Sequence, residues 1–331
     1  LNDPQRQPAM TLDPAWFDPA NVPAETARFN ADLVARLSKG PDVWSRPLAD
    51  VRQARAAGLG TFPLPPPDAA AECATIEGKH GPIQLRLMHP KTARPRGTYL
   101  HFHGGGWVMG SARENDDRLR RLCEAARLSI VSVDYRLAPE SPYPQGPDDC
   151  ETAALWLIGD GGADLERSFL AIGGESAGAH LAAVTLLRLR ERHHASPFAA
   201  ALMTAGCYDL SLTPSVRNWG DEKLVINTRD VEQFVAHFLA RGGDAASPDI
   251  SPLHANLEGM PPALFSCGTA DLLIDDTLFM AARWLAAGNR TGLSIHPGGC
   301  HVFQAFDTQQ ARLSLREMED FLSAAADTSS A

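Results

Sequence analysis

Gly174-Glu175-Ser176-Ala177-Gly178 stands between the apolar run Phe169-Leu170-Ala171-Ile172 and an apolar-periodic helix that begins near Ala177. Gly-x-Ser-x-Gly placed after a buried strand and before a helix is a sharp turn that lifts a serine hydroxyl above the edge of a sheet. The flanking glycines are needed because the turn leaves no room for side chains, and the serine itself is expected in a strained backbone conformation. A serine hydroxyl is a poor nucleophile until a base takes its proton. Such a serine therefore requires a base, an acid and donors for a developing oxyanion elsewhere in the chain.

Outward from this turn the pattern is strand then helix, repeated. Strands are expected at Thr98–Phe102, Ser129–Val133, Phe169–Ile172, Ala199–Met203, Ala263–Cys267 and Leu293–His296. Helices are expected around Leu119–Ala126 and at Asp148–Leu157, Ala177–Arg190, Leu278–Ala287 (stopped by Gly288) and Leu313–Leu322. Alternating units of this kind imply an α/β fold, a mostly parallel sheet covered on both faces. Ahead of it, Glu72–Ile76 and Ile83–Met88 flank a Lys79-His80-Gly81-Pro82 turn and read as a hairpin.

Two regions break the rhythm. Residues 1–70 read as short helical pieces, Ala24–Leu37 the clearest, ending in the stiff Phe62-Pro63-Leu64-Pro65-Pro66-Pro67 linker. Tyr208 to Pro252 separates two core strands by over forty residues and carries its own amphipathic helix, Asp230–Leu239. Residues 1–45 and 208–252 are read as a helical cap on a core made of 46–207 and 253–331; a purely structural insertion is the alternative.

Bulk composition excludes some classes. A chain of 331 residues with formal charge −10 has no basic stripe to meet nucleic acid. No run of 18 apolar residues is present, so no membrane span is expected. Leu1-Asn2-Asp3-Pro4-Gln5-Arg6 lacks a basic segment followed by an apolar stretch, and no secretory signal is read there. The six cysteines (73, 123, 150, 207, 267, 300) form no Cys-x-x-Cys pair and read as small hydrophobes in a reducing, cytoplasmic setting. Cys300 adjoins a candidate histidine but is read as packing. No metal cluster stands out, His193-His194 being read as a solvated tail, and no cofactor is expected.

The remaining chemistry falls in order along the chain. His101-Phe102-His103-Gly104-Gly105-Gly106-Trp107 follows a strand directly, and three successive glycines expose backbone N–H groups. Acyl transfer needs such donors as charge builds on the carbonyl oxygen, and Ala177, after the serine, supplies another. Gly104-Gly105-Gly106 lacks the Lys-Ser/Thr of a phosphate loop. Asp271, beyond the strand Ala263–Cys267, fits the acid; the rivals Asp275 and Asp276 are expected to cap the Leu278 helix. His301 follows the last core strand after a glycine-containing turn and is the expected base. His296 should point into or across the sheet, His180 packs under the turn, and a histidine such as His101 or His103 props the glycine loop. Glu175 is read either as a carboxylate bonded to loop backbone or as part of a local salt bridge.

His103-Gly104-Gly105-Gly106-Trp107, Asp134-Tyr135-Arg136-Leu137-Ala138-Pro139-Glu140, Gly174–Gly178, Asp271-Leu272-Leu273-Ile274-Asp275 and His301 within Pro297–Phe303 occur in family order. In this the chain resembles the hormone-sensitive-lipase-like branch of the α/β-hydrolases, the bacterial family IV esterases. It departs from that pattern at Glu175, where aspartate is usual, and at Leu272, where proline follows the acid. The resemblance implies an α/β-hydrolase fold with a helical cap and a carboxylesterase acting on short- to medium-chain esters through an acyl-enzyme. Ser176, His301 and Asp271 would form the triad, and Gly105, Gly106 and Ala177 the oxyanion hole, with His103, Gly104 and Glu175 in support. Asp148-Asp149 would fix loops together with Arg136. Trp16, Phe17, Phe29, Trp219 and Phe234 would wall the acyl pocket, and members often pair as homodimers. Arylformamidases offer a second enzyme reading, since some continue the turn with Ala-His, as Ala179-His180 do here. A non-catalytic receptor on the same fold is a third; such proteins are expected to lose part of the triad.

Overall fold

A computed structural model describes residues 10–329; the hexapeptide read for a leader lies outside them. Two helices come first, α1 (Ala24–Leu37) and α2 (Leu48–Ala56), then the hairpin β1 (Glu72–Ile76) and β2 (Ile83–Met88). The alternating part follows as β3 (Thr98–Phe102), α3 (Asp116–Ala126), β4 (Ser129–Asp134), α4 (Gln145–Ile158), β5 (Leu170–Glu175), α5 (Ala177–His193) and β6 (Ala200–Thr204). After β6 come α6 (Pro214–Trp219) and α7 (Thr228–Phe238), then β7 (Ala263–Ala270), α8 (Ile274–Ala286), β8 (Thr291–Cys300) and α9 (Gln309–Ser329).

Among the described residues the strands form one sheet in the order β1-β2-β4-β3-β5-β6-β7-β8. β2 runs antiparallel to β1 and β4, and the neighbours from β4 to β8 are parallel. Every residue of β3, β5 and β6 is buried, as expected of parallel strands covered on both faces. On one face Cys150, Ala154 and Leu157 of α4 pack with α5 and with Met280 and Trp284 of α8. On the other, Leu119, Leu122 and Ala126 of α3 meet Met318, Leu322 and Ala326 of α9.

The strand order places the site. From β3 the chain moves outward to β4, then returns to the other side of β3 as β5. Loops leaving β3 and β5 therefore diverge, opening a crevice at their carboxyl ends. The glycine loop leaves β3 and Ser176 leaves β5.

Strand β8 exceeds its sequence signal at both ends. β8 runs on to Cys300, so the expected glycine-containing turn before His301 is instead strand. The glycines permit close approach: a Cβ on Gly268 would lie 1.9 Å from Gly299 O, and the β7–β8 register shifts between Gly268 and Ala270. Helix α8 begins at Ile274, so Asp275 and Asp276 sit inside its first turn and do not cap it. They hold the chain leaving β6 instead: Asp276 Oδ1 accepts from the amides of Tyr208 (2.6 Å) and Asp209 (3.0 Å), and Asp275 from Ser215 (2.8 Å). His193 is likewise no free tail, its Nε2 lying 2.7 Å from Glu151 Oε1.

Candidate active site

Ser176 has φ 55° and ψ −120°, left-handed backbone for a residue with a side chain, and its N–H donates to Thr204 O at 2.8 Å. The glycines of the turn are forced by contact. A Cβ on Gly174 would sit 2.1 Å from Phe102 O, and one on Gly178 1.9 Å from the same oxygen. The strand before Ser176 and the helix after it thus both press on the end of β3, directing the hydroxyl into the crevice.

His301 bridges the other two groups. Its Nε2 lies 2.9 Å from Ser176 Oγ, and its Nδ1 donates to Asp271, 2.9 Å from Oδ2 and 3.1 Å from Oδ1. Asp271 is 1% exposed, and its carboxylate also accepts from the Leu273 amide (2.9 Å) and the Cys267 thiol (3.5 Å). A carboxylate so held fixes the imidazole tautomer that leaves Nε2 free to take a hydroxyl proton. The proline missing after Asp271 does not disturb this geometry. Cys300 is buried, and burial pushes its thiol up to about 12, so it stays protonated and packs.

The glycine loop faces Ser176. Gly105 has φ 120° and Gly106 φ 61°, conformations that glycine adopts freely. Among the described residues their amides donate to no carbonyl or side chain. Ala177 opens α5, where an amide has no intrahelical partner. Gly104 N donates to Glu175 Oε1 at 2.9 Å, so Glu175 does bond loop backbone. It also lies 3.0 Å from His101 Nε2 and forms an ion pair with Arg118 at 3.5 Å. Burial alone would raise the Glu175 carboxyl, but His101, Arg118 and the Gly104 amide outweigh it and hold it at about 2.

The two loop histidines differ. His103 stacks on Tyr135 with centroids 4.2 Å apart and its Nδ1 reaches Gly104 O at 2.8 Å, while Tyr135 Oη donates to His103 O at 2.7 Å. His101 belongs to β3, not to the loop, and joins Ser132 Oγ (2.8 Å) to Glu175. Arg136 pairs with Asp149 by both its amide, at 2.9 Å, and its guanidinium. His296 is buried, its Nε2 2.8 Å from Ser294 Oγ.

A cavity of about 610 Å³ opens over Ser176 and His301, with apolar walls from Val43, Trp44, Phe62, Val225, Ile226 and Phe234. Of the aromatics expected there, Phe234 alone lines it. Phe29 packs on Phe306, Trp219 donates to Glu222 O, Trp16 joins the cluster around Val302, and Phe17 is exposed. Trp44 and Phe62 take their places. Phe62 carries a visible signal, an aromatic at the head of a stiff proline run; Trp44 carries none, because its position depends on α7. Its indole N–H donates to Asp230 Oδ1 at 2.7 Å, its ring meets Phe234 edge-on, and Arg229 pairs with nearby Asp42. Among the described residues no three His, Cys, Asp or Glu side chains are grouped to hold a metal, and no helix is long and apolar enough to cross a membrane.

A serine, histidine and aspartate gathered at a switch-point crevice are the site type of the α/β-hydrolases. The family model described as the alpha/beta hydrolase fold matches residues 99–305. Carboxylesterase NlhH of Mycobacterium tuberculosis is 33% identical over 270 residues, covering 78% of this chain and 82% of that protein. The structure of an esterase from Pyrobaculum calidifontis matches with TM-score 0.80 at 28% identity, over 90% of this chain and 98% of that one. A hormone-sensitive lipase from a metagenome library matches with TM-score 0.80 at 27% identity, over 92% and 100%. The chain belongs to the α/β-hydrolase family, in its hormone-sensitive-lipase-like, bacterial family IV branch, and is a carboxylesterase.

Proposed function

We propose that the chain hydrolyses short- to medium-chain carboxylic esters through an acyl-enzyme on Ser176. Ser176 Oγ attacks the carbonyl carbon while His301 Nε2 takes its proton, and Asp271 stabilises the resulting imidazolium. The amides of Gly105, Gly106 and Ala177 bind the oxyanion, with His103, Gly104 and Glu175 supporting that loop. Collapse expels the alcohol, protonated by His301, and water then cleaves the acyl-enzyme by the same route. The single observation that carries this reading is the His301 ring lying 2.9 Å from both Ser176 Oγ and Asp271 Oδ2.

Residues 1–45 and 208–252 act as a cap on a core of 46–207 and 253–331. The contacts of Trp44 and Asp42 with α7 support joining the two pieces. An apolar-walled cavity of about 610 Å³ suits a small ester better than a long acyl chain. Five of the six free cysteines are buried, which fits a reducing, cytoplasmic compartment. The family resemblance favours a homodimer, which sedimentation equilibrium tests. The decisive experiment is hydrolysis of a p-nitrophenyl ester series by wild type and Ser176→Ala. Turnover should fall to background with the unfolding midpoint unchanged; sustained hydrolysis by the variant refutes the assignment.

A further inference from the structure

A run of glycines has no side chains by which to hold its own shape, so the loop at 104–106 must be gripped from its ends. Glu175 grips Gly104 at one end. At the other stands Trp107, a bulky residue at φ 60°, a conformation that persists only when its surroundings over-determine it. Its indole N–H donates to His180 Nδ1 at 3.0 Å, and His180 Nε2–H donates to Ile250 O at 2.7 Å. His180 is wholly buried, one turn beyond Ser176 on α5. Phe238 of α7 stacks on the indole at 4.8 Å and meets the imidazole edge-on.

We propose that His180 is a positioning residue for ester hydrolysis, which clamps Trp107 and so keeps the Gly105 and Gly106 amides aimed at the oxyanion. One ring nitrogen accepts and the other donates, so only the neutral imidazole with its proton on Nε2 satisfies both partners. Burial pushes the ring down to about 4, which keeps it neutral at ordinary pH. The clamp joins three separate segments: the loop after β3, the helix carrying Ser176, and the chain between β6 and β7. The inference rests on the oxyanion-hole reading given above.

The test measures p-nitrophenyl butyrate kinetics per active site, titrated with a fluorophosphonate that labels Ser176. His180→Leu keeps the bulk and loses both hydrogen bonds; His180→Gln offers one amide acceptor and one donor in their place. A misaimed donor costs on the order of tenfold or more in turnover. The Leu variant should therefore lose about tenfold in kcat per labelled site with KM within about twofold, and the Gln variant should recover to within about threefold of wild type. Trp107→Phe, which removes the other partner, should lose a similar factor, and the double variant no more than either single. Should His180→Leu fail to fold, the Trp107→Phe result decides. Wild-type kcat in either variant, a loss confined to KM, or Gln as slow as Leu overturns the clamp. Failure of wild type to take the fluorophosphonate overturns the Ser176 assignment as well, which separates the two readings.

Discussion

Glu175 allows charge and tether to be pulled apart. Glu175→Gln keeps an oxygen to accept the Gly104 amide but removes the negative charge facing His101 and Arg118. A carboxyl held at about 2 against an ordinary 4.5 corresponds to about 3 kcal/mol favouring the ionised form in the folded state. Removing one member of a buried ion pair costs about 3–5 kcal/mol. Arg118 retains 22% of its side-chain exposure, which sets the lower end of that range. At pH 7 the Gln variant should thus be about 3 kcal/mol less stable by urea denaturation followed through tryptophan fluorescence.

Because the folded-state value is depressed, this contribution is full above about 4.5 and is lost as pH falls toward about 2. The stability gap between wild type and Gln should narrow over that window. Turnover per site should fall only slightly in Gln, whereas Glu175→Ala, which also frees Gly104, should lose on the order of tenfold. An equal urea midpoint at pH 7, or a gap that does not narrow below pH 4.5, would refute the reasoning.

Asp276 should show the opposite slope. Burial pushes its carboxyl up to about 7, so its contribution is greatest below the unfolded value and is lost as pH rises through about 7. Asp276→Asn keeps an acceptor for Tyr208 and Asp209 and should flatten that decline, making the variant the more stable protein at pH 8; denaturation at pH 5 and 8 checks it. Phe234→Ala should enlarge the wall over Gly106, where the ring now lies 2.3 Å from a hypothetical Cβ, and shift preference toward longer acyl chains in a p-nitrophenyl ester series. Gly178→Val should prevent a folded elbow outright, since even a Cβ there meets Phe102 O at 1.9 Å; far-UV circular dichroism and expression yield report it.

The local half of the fold was legible because its signals are local. Strand–turn–helix around Ser176, the buried runs of β3 and β5, and the hairpin before them follow from side-chain size and periodicity. Where tertiary pairing extends an element, periodicity carries no signal: β8 reaches Cys300 where Gly268 and Gly299 let two strands approach closely. The same holds for Asp275 and Asp276, whose sequence position suggests a helix cap and whose partners come from the chain leaving β6, sixty or more residues away.

Sequence by itself determined the order of the chemical groups: the glycine loop, Ser176, Asp271 and His301 can each be picked out by type and neighbours. Their meeting at hydrogen-bond distance is decided by the sheet: its strand order reverses between β3 and β5, setting the glycine loop against Ser176, and its parallel run from β5 to β8 brings Ser176 and His301, 125 positions apart, into contact. Which aromatics wall the cavity, and that Glu175, His101 and Arg118 form one polar cluster, were likewise settled in three dimensions. Those contacts join segments with no periodic relation along the chain, so pattern records the pieces and packing chooses the partners.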